Sequence, residues 1–328
     1  MHIVILAGGV GGSRFVRGVR AAHPDAHLTV IGNTADDITL HGLRICPDLD
    51  TMMYALGGGI DPDRGWGRAD ESTAFLEELR AYQVEPTWFT LGDRDLATHV
   101  IRTQLINSGA TATQITAALA SRWLPDGVTL LPMTDDRVET HVVITDPEAA
   151  SGRRAVHFQE YWVRLRAAPA VEKTIMVGLD RATVTDEVTA AIGSADEILL
   201  APSNPVVSIG PILGVPGLRT ALLSSAAPII GFSPILAGSP VLGMADKLLP
   251  TIGVEVSAAG VGRHYGARAA GGLLDLWVVD SADGSTADQL TADGLPTMAD
   301  ELIMRDPSVT AGFVSRAEAH LASVRGGA

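Results

Sequence analysis

Four of the five residues from Gly8 to Gly12 are glycine, and they join a short apolar run to a segment that favours a helix. A strand, a glycine-rich turn and a helix in this order place backbone N–H groups and a helix N-terminus beside the end of the strand. Glycine has no Cβ, so a ligand can approach this backbone closely. The segment predicts a binding site for a phosphate or diphosphate, and a tight turn without a ligand is the simpler alternative.

A dinucleotide redox cofactor is a weaker prediction for the same turn. The G-x-G-x-x-G spacing is not met, because Arg14 occupies the position of the third glycine. The second apolar run, at residues 28–31, continues into Gly32 and Asn33 and does not end in the Asp or Glu that would bind a ribose hydroxyl. A phosphate-bearing ligand of another kind is therefore favoured.

Acidic side chains cluster where several apolar runs end or helices are expected to begin, in GNTADD, PDLDT, LGDRD and TDD. Ligands of open α/β sheets bind beyond the carboxyl ends of the strands, so these clusters are candidate metal sites. Asp48 and Asp50 are two residues apart in PDLDT. In an extended loop both would point to one side and share a hard cation with phosphate oxygens. Helix capping is the alternative for each of these two residues, and for Asp93 and Asp95.

A second loop, APSNPVVSIGPIL, is stiffened by three prolines and offers polar side chains suited to a base, ribose or phosphate. A stiff structural turn is again the alternative. Lys247, one of two lysines, is expected to reach a phosphate from a helix. The histidines, including His99 and His141, lack metal-ligand spacing and are predicted to be structural. Core packing is favoured over ligand stacking for three aromatic residues, Phe158, Tyr161 and Trp162.

Alternating strand-like and helix-like segments predict the elements that position these residues. Strands are expected at residues 2–6, 28–31, 129–131, 197–201, 228–232 and 274–279, and helices at 13–22, 51–56, 72–82, 96–106, 113–122, 215–224 and 310–324. This order predicts an α/β fold with a Rossmann-like, doubly wound, mostly parallel sheet. Residues 134–181 read as a hairpin-like pair of strands, and so as a smaller inserted α+β region between core segments 1–133 and 182–328.

The composition narrows the classes of function. The 328 residues can bury a large core, and the net charge of −14 argues against binding of a nucleic-acid polymer. No apolar run approaches a membrane span, and the first is too short for a signal peptide. The single cysteine, Cys46, is expected to be a packed residue and favours a cytoplasmic location.

Several motifs together resemble the 2-phospho-L-lactate transferase family of deazaflavin coenzyme F(420) biosynthesis. They occur in order over nearly the whole chain, as LAGGVGG, GNTADD, PDLDT, LGDRDLATHVIR, LPMTDDRVETHV, HFQEYWV, PSNPVVSIGPIL, SPILAGSPVLGMADKL and GVEVSAAGVGRHY. The Ala- and Arg-rich composition is similar to the actinobacterial branch, in which phosphoenolpyruvate takes the place of phospholactate. The preference for phosphoenolpyruvate over phospholactate follows from the resemblance alone.

The resemblance implies transfer of an enolpyruvyl phosphate, or a 2-phospholactyl group, from a guanosine-diphosphate-linked donor. The acceptor would be the terminal ribityl hydroxyl of 7,8-didemethyl-8-hydroxy-5-deazariboflavin, and the products would be GMP and the dehydro form of coenzyme F(420)-0. Mg²⁺ is the expected cation, because it prefers carboxylate and phosphate oxygens. A homodimer is expected. The alternatives are another nucleotide-sugar or sugar-phosphate transferase on the same fold, and a non-catalytic nucleotide sensor.

The resemblance also implies roles for individual residues. Asp50 is expected at the deazaflavin hydroxyl and the metal, assisted by Asp48, and Thr90 matches a position of deazaflavin contact. The diphosphate would lie near a set from the first half of the chain, Gly9, Gly11, Gly12, Ser13, Asn33 and Asp37. Segment 182–328 would bind the guanosine side through Ser203, Asn204 and Gly210, with segment 134–181 over the active site.

Overall fold

A computed structural model of the chain describes residues 1–326, so the last two residues of the predicted segment 182–328 lie outside the described part. The strands, numbered in chain order, are short and mostly apolar. They are β1 (His2–Ala7), β2 (His27–Gly32), β3 (Ile38–Leu40), β4 (Leu43–Ile45), β5 (Val128–Pro132), β6 (Glu139–Thr145), β7 (Arg153–His157), β8 (Val171–Val177), β9 (Glu197–Leu200), β10 (Ile229–Phe232), β11 (Ile235–Leu236), β12 (Ser239–Pro240), β13 (Leu276–Asp280) and β14 (Thr297–Asp300).

Helices alternate with these strands over most of the chain. They are α1 (Gly9–Ala22), α2 (Pro47–Leu56), α3 (Ala74–Ala81), α4 (Asp93–Asn107), α5 (Ala112–Ala120), α6 (Asp186–Gly193), α7 (Ile209–Gly214), α8 (Leu218–Ser224), α9 (Ala245–Leu248), α10 (Ala258–Tyr265), α11 (Gly284–Ala292) and α12 (Pro307–Gly326). A single π-helical turn, Glu160–Arg164, follows β7.

Seven strands form one sheet in the order β14-β13-β10-β9-β1-β2-β5, and every pair in it is parallel. Leu6 of β1 pairs with Ile31 of β2 on one side and with Leu200 of β9 on the other. The carboxyl ends of these three central strands therefore lie level at one edge of the sheet. This architecture confirms the predicted doubly wound, mostly parallel α/β fold.

Each face of the sheet packs against its own hydrophobic core. Side chains alternate along β1, so that Val4 and Leu6 join one core while Ile3 and Ile5 join the other. Helices α1, α2, α5 and α12 cover the second core, and α6 to α11 cover the first. Both faces of the central strands are buried, which explains why they read as continuous Val, Ile and Leu runs.

The predicted insertion contains a separate antiparallel sheet with the order β7-β6-β8. The sequence predicted the hairpin of β6 and β7, and β8 is a third strand that was not expected. Val142, Ile144 and Val156 turn their side chains into the first core, so this small sheet packs over one face of the large one. The division of the chain at residues 134 and 181 stays a prediction.

Helix α2 begins four residues earlier than predicted, at Pro47. Proline is favoured in the first helical turn because its missing N–H has no partner there in any case. Asp48 and Asp50 therefore lie in the first turn of a helix, and the expected extended loop is wrong. Residues that are two positions apart in a helix differ by about 200° around its axis, so the carboxylates of Asp48 and Asp50 point in different directions.

Cys46 immediately precedes α2 and is buried, as predicted. Its thiol donates a hydrogen bond to Asp37 over 2.9 Å. Burial, which is only partly offset by the neighbouring Arg102, raises the pKa of this thiol well above its usual range. A protonated, buried thiol is a packed side chain and a poor nucleophile. Within the part of the chain described, no helix is long and apolar enough to cross a membrane.

Candidate active site

A cleft of about 660 Å³ opens at the carboxyl ends of the central strands. The glycine turn after β1, the starts of α2 and α4 and the loops after β9 and β10 all contribute to its walls. Seven of the predicted site residues line this one cleft: Gly9, Gly11, Asp48, Asp50, Thr90, Ser203 and Asn204. The structure therefore brings together residues from four segments that are far apart in the sequence.

Three other predicted binding residues are absent from the cleft lining, because helices bury them or turn them away. Gly12 and Ser13 are buried in α1, and the Ser13 hydroxyl donates to the Val10 carbonyl over 2.9 Å. Gly210 lies in α7, where an added Cβ would stand 2.7 Å from the carbonyl oxygen of Pro205. These residues support the turns around the cleft and do not face its interior.

Asn33 and Asp37 also lie behind the cleft wall, as buried polar residues. The Asn33 amide donates to Asp48 over 2.9 Å and to the Val207 carbonyl over 3.1 Å. Burial raises the pKa of Asp37 to about 7, although Arg44, 3.5 Å away, opposes the shift. Asn33 thus joins the glycine turn, α2 and the loop after β9 into one unit.

The glycine turn is held from two sides. Ser203 donates its hydroxyl to the Gly8 carbonyl over 2.8 Å and accepts the Gly8 N–H over 3.2 Å. A Cβ at Gly8 would lie 2.6 Å from Asp48 Oδ2, and one at Gly12 would lie 2.8 Å from Ser203 Oγ. Gly9 adopts a φ of +65°, which other residues rarely do. Close packing, as well as access for a ligand, therefore explains the glycines.

Two carboxylates near this turn have raised proton affinities. Burial raises the pKa of Asp48 to about 6, while the Asn33 amide and the Gly9 backbone N–H stabilise its charged form and limit the shift. Burial and the neighbouring Asp48 together raise the pKa of Asp36 well above its usual range. Both residues line the cleft. The surroundings of Asp36 therefore favour its protonated form.

A second group of polar residues surrounds Asp50, on the side of α2 away from the turn. Arg102 donates to Asp50 Oδ1 and also, over 3.2 Å, to His99 Nδ1. His99 lies 3.7 Å from Asp50 Oδ2 and 3.5 Å from Asp95 Oδ2. The Tyr54 hydroxyl donates to the other oxygen of Asp95. The charged and polar side chains of α2 and α4 thus form one buried network.

The surroundings shift the pKa values of Asp50 and Asp95 in opposite directions. Burial raises the pKa of Asp50, although the charges of Arg102 and His99 act in the opposite direction. Burial also opposes ionisation of Asp95, but hydrogen bonding and charge from His99 outweigh it and hold the pKa of Asp95 below its usual range. His99 accepts from Arg102 at Nδ1, so a neutral ring carries its proton on Nε2, facing Asp95.

The network also offers the best metal-ligand set among residues 1–326. One ligand atom each from Asp50, Asp95 and His99 lies within 4.8 Å of the others, and Asp50 Oδ2 is buried without a hydrogen-bond partner. Asp48 does not belong to this group, so the expected pairing of Asp48 with Asp50 on one ion finds no support. Two carboxylates fit the oxygen preference of Mg²⁺.

Asp95 was already a candidate in the sequence, but three other members of this site, His99, Arg102 and Tyr54, were not, and one pattern could have revealed two of them. Asp95, His99 and Arg102 follow the i, i+4, i+7 spacing that places side chains on one face of a helix. His99 was assigned a structural role, and the structure places it in the cleft lining between two carboxylates. Tyr54 carried no separate signal in the sequence, since α2 was expected to be an ordinary packed helix.

The mouth of the cleft is apolar. Five large hydrophobic side chains that line it are each more than two-fifths exposed, namely Trp66, Trp162, Val241, Leu242 and Ile303. The prediction of core packing is confirmed for Phe158 and Tyr161 but is wrong for Trp162, which is 42% exposed on the π-helical turn. Such turns occur frequently at functional sites. A planar, partly apolar ligand would fit these walls.

Lys247 does not take the position expected of it. Its amine donates to the backbone carbonyl of Ala167, and the side chain is not part of the cleft lining. The lysine ties α9 to the segment that follows the π-helical turn. The predicted contact of Lys247 with a phosphate is therefore wrong for this arrangement.

The chain is similar to known proteins over nearly its whole length. Residues 3–306 match the family described as 2-phospho-L-lactate transferase CofD. A protein of Streptomyces coelicolor named phosphoenolpyruvate transferase is 55% identical, with 97% of each chain covered, and one of Mycobacterium marinum with the same name is 54% identical over 99% of each chain.

A solved structure from Bacillus halodurans, a member of the upf0052 family, has the same fold with a TM-score of 0.60. It is 17% identical in sequence, and the alignment covers 96% of this chain and 98% of that one. At this identity the likeness concerns the fold alone. The match over nearly the whole length and the identities above 50% settle the classification: this chain belongs to the 2-phospho-L-lactate transferase CofD family and is a transferase.

Proposed function

We propose that this enzyme transfers an enolpyruvyl phosphate group from a guanosine-diphosphate-linked donor to the terminal ribityl hydroxyl of 7,8-didemethyl-8-hydroxy-5-deazariboflavin. The products are GMP and the dehydro form of coenzyme F(420)-0. One observation carries the proposal: a glycine turn at a helix N-terminus and a buried carboxylate network line the same cleft. The names of the two bacterial relatives favour the enolpyruvyl group over the 2-phospholactyl group.

The donor takes the end of the cleft at the glycine turn. Its diphosphate lies at the N-terminus of α1 beside Gly9 and Gly11, where the backbone N–H groups and the helix dipole favour negative charge. Asn204, which lines the cleft after β9, is on the guanosine side. Ser203 holds the turn through Gly8, so its contribution is to position the donor site.

The acceptor takes the other end, with its hydroxyl at Asp50. Thr90 and Trp66 line both the cleft and a small side pocket next to Asp95, and they form the wall against which the deazaflavin ring lies. Asp50 and Asp95 would hold Mg²⁺, and the bound ion would supply positive charge next to the phosphate oxygens. Arg102 fixes the orientation of the Asp50 carboxylate.

The reaction is a displacement at phosphorus. The ribityl oxygen forms a bond to the phosphorus that carries the enolpyruvyl ester, the bond from that phosphorus to the bridging oxygen breaks, and GMP leaves with the electron pair. Asp50 accepts the proton of the hydroxyl. Asp48, which faces the glycine turn, helps to position the donor. The protein's task is to align the hydroxyl in line with the leaving oxygen.

Product mass spectrometry tests this proposal. Purified enzyme with Mg²⁺ and the deazaflavin receives either the enolpyruvyl or the phospholactyl guanosine diphosphate donor, and the two products differ by two hydrogens in mass. We expect turnover with the enolpyruvyl donor, and loss of at least a hundredfold in kcat for Asp50→Asn. Asp288→Asn, at an exposed position of α11, is the control. Product from neither guanosine donor, but from another nucleotide donor, would refute the proposal.

We also propose a cytoplasmic homodimer. The exposed apolar side chains of α4, Val100, Ile101 and Ile106, offer a surface for a second copy of the chain. The single, buried and free cysteine fits a reducing compartment. Light scattering after size exclusion measures the mass directly, and a monomer at micromolar concentration would contradict the homodimer.

A further inference from the structure

Arg14 lies in the second turn of α1 and lines the cleft on the same helix face as Val10 and Gly11. Side chains of a helix lean toward its N-terminus, so the guanidinium of Arg14 extends over the first turn, where the glycine N–H groups are. The residue is half-buried. Arg14 occupies the position of the third glycine in the dinucleotide-binding pattern G-x-G-x-x-G.

The charge balance of the cleft singles out Arg14. Asp48, Asp50 and Asp95 line the cleft, and a donor diphosphate would add further negative charge to it. Arginine and lysine contribute only Arg14 and Arg64 to the lining. This pair has to provide the permanent positive charge that an anionic donor requires.

Only one of these two arginines is available. Arg64 pairs with Asp61 over 2.9 Å and stacks at 4.8 Å from the centre of the Trp66 ring. Arg14 takes part in none of the ion pairs or side-chain hydrogen bonds formed among residues 1–326. An unpaired, half-buried guanidinium with five N–H donors is suited to bidentate binding of phosphate oxygens.

The neighbouring loop confines the guanidinium. Gly65 adopts a φ of +72°, and a Cβ at this position would lie 3.3 Å from a guanidinium nitrogen of Arg14 and 3.1 Å from Val10. The loop is closed by hydrogen bonds between Asp61 and Gly67 and between Gly65 and Asp61. The backbone of this loop thus packs against one side of Arg14 and restricts its rotamers. The side chain therefore loses less conformational entropy when it binds a ligand.

We propose that Arg14 binds the diphosphate of the donor and determines the affinity for it, together with the backbone N–H groups of the glycine turn. The inference rests on the proposed function, since it places the donor at this turn. Arg14 is a binding residue, and proton transfer remains with Asp50 at the other end of the cleft. A change at Arg14 therefore affects the KM for the donor and leaves the KM for the acceptor unchanged.

The test compares Arg14→Gln with Arg17→Gln. Arg17 is an exposed arginine on the same helix that does not line the cleft, so it matches the change in charge and helix propensity. Calorimetric titration with GDP and Mg²⁺ measures binding without turnover, and initial rates give the KM for each substrate. We expect about a ten- to hundredfold loss of GDP affinity and a similar rise in donor KM for Arg14→Gln. Arg14→Lys should recover part of the lost GDP affinity.

The outcomes separate the two proposals. If the wild-type enzyme binds GDP and turns over, but Arg14→Gln retains wild-type affinity and donor KM, the role of Arg14 is refuted. An equal loss in Arg14→Gln and Arg17→Gln also refutes it, because general charge would then explain the effect. If the wild-type enzyme neither binds GDP nor forms product, the proposed function itself fails. Unchanged thermal unfolding of Arg14→Gln excludes loss of folding as the cause.

Discussion

Glu197 provides a test of the electrostatics far from the cleft. It is the first residue of β9, it is only 4% exposed, and its Oε2 has no hydrogen-bond partner in residues 1–326. Burial first, and the nearby Glu318 second, raise the pKa of Glu197 to about 8. Glu318 in turn pairs with His23 over 2.7 Å. At pH 7 Glu197 is therefore mostly protonated.

The sign and size of the effect on stability follow from this shift. The ordinary pKa of 4.5 is the value in the unfolded chain, so the folded protein keeps a proton that the unfolded chain has already lost between pH 4.5 and about 8. The contribution of Glu197 to the free energy of unfolding is therefore greatest below pH 4.5, and it falls as the pH rises from 4.5 to about 8. At about 1.4 kcal/mol for each pKa unit, the upper limit is roughly 5 kcal/mol. Because the ionisation of Glu197 depends on that of the nearby Glu318, the expected loss assigned to Glu197 is smaller, about 2–4 kcal/mol.

The substitution Glu197→Gln replaces the protonated acid with a neutral group of the same shape and removes its titration. Urea unfolding at pH 5 and pH 8 should give similar free energies for both proteins at pH 5, and a variant more stable by about 2–4 kcal/mol at pH 8. Glu78→Gln, at an exposed position of α3, should change stability by less than about 0.5 kcal/mol at either pH. A difference between Glu197→Gln and wild type that is the same at both pH values would refute the reasoning.

Two further predictions concern the site. Arg102→Met leaves Asp50 as a buried charge without its main partner and should lower the free energy of unfolding in urea by about 3–5 kcal/mol. Asp50→Asn in the same background should restore part of this loss. Fully additive effects in the double mutant would contradict the pairing. Gly8→Ala introduces a Cβ that would stand 2.6 Å from Asp48 Oδ2, so we expect a loss of about 1–3 kcal/mol of stability and weaker GDP binding. Gly193→Ala is the control and should be neutral, because a Cβ there would meet nothing within 4 Å. Wild-type GDP affinity in Gly8→Ala would show that the turn does not depend on this contact.

The fold was largely predictable from the sequence because the central strands are short, continuous apolar runs separated by amphipathic helices. All six predicted strands are present, and the sheet is parallel as expected. The short strand pairs β3–β4 and β11–β12 were not predicted, and neither were two longer strands, β14 and the third strand of the small sheet. Both have low or broken apolar character: β14 reads Thr-Met-Ala-Asp, and β8 contains Glu172 and Lys173. Such strands at the edge of a sheet leave a weak pattern, since one side of each remains in contact with solvent.

The site was predictable in part. The motifs that carry glycine and aspartate were located correctly, because a parallel sheet brings the ends of its strands to one edge. The grouping of side chains was not, since it depends on where helix α2 begins and on which face of α4 packs against it. A start at Pro47 rather than Thr51 changes the direction of Asp48 relative to Asp50. The pattern alone cannot determine a helix start to that accuracy.

The early start of α2 explains how two carboxylates of one motif serve two ends of the cleft. Asp48 contacts Asn33 and lies within reach of the glycine turn, whereas Asp50 turns toward Arg102 and His99 on α4. Because both lie in one rigid helical turn, the backbone and not a mobile loop would fix the distance between the donor and the acceptor in the proposed reaction. A displacement that pairs two substrates needs this property, since misplacement of either reactant lowers the rate. The helix start therefore matters to the reaction as much as the identity of the two aspartates.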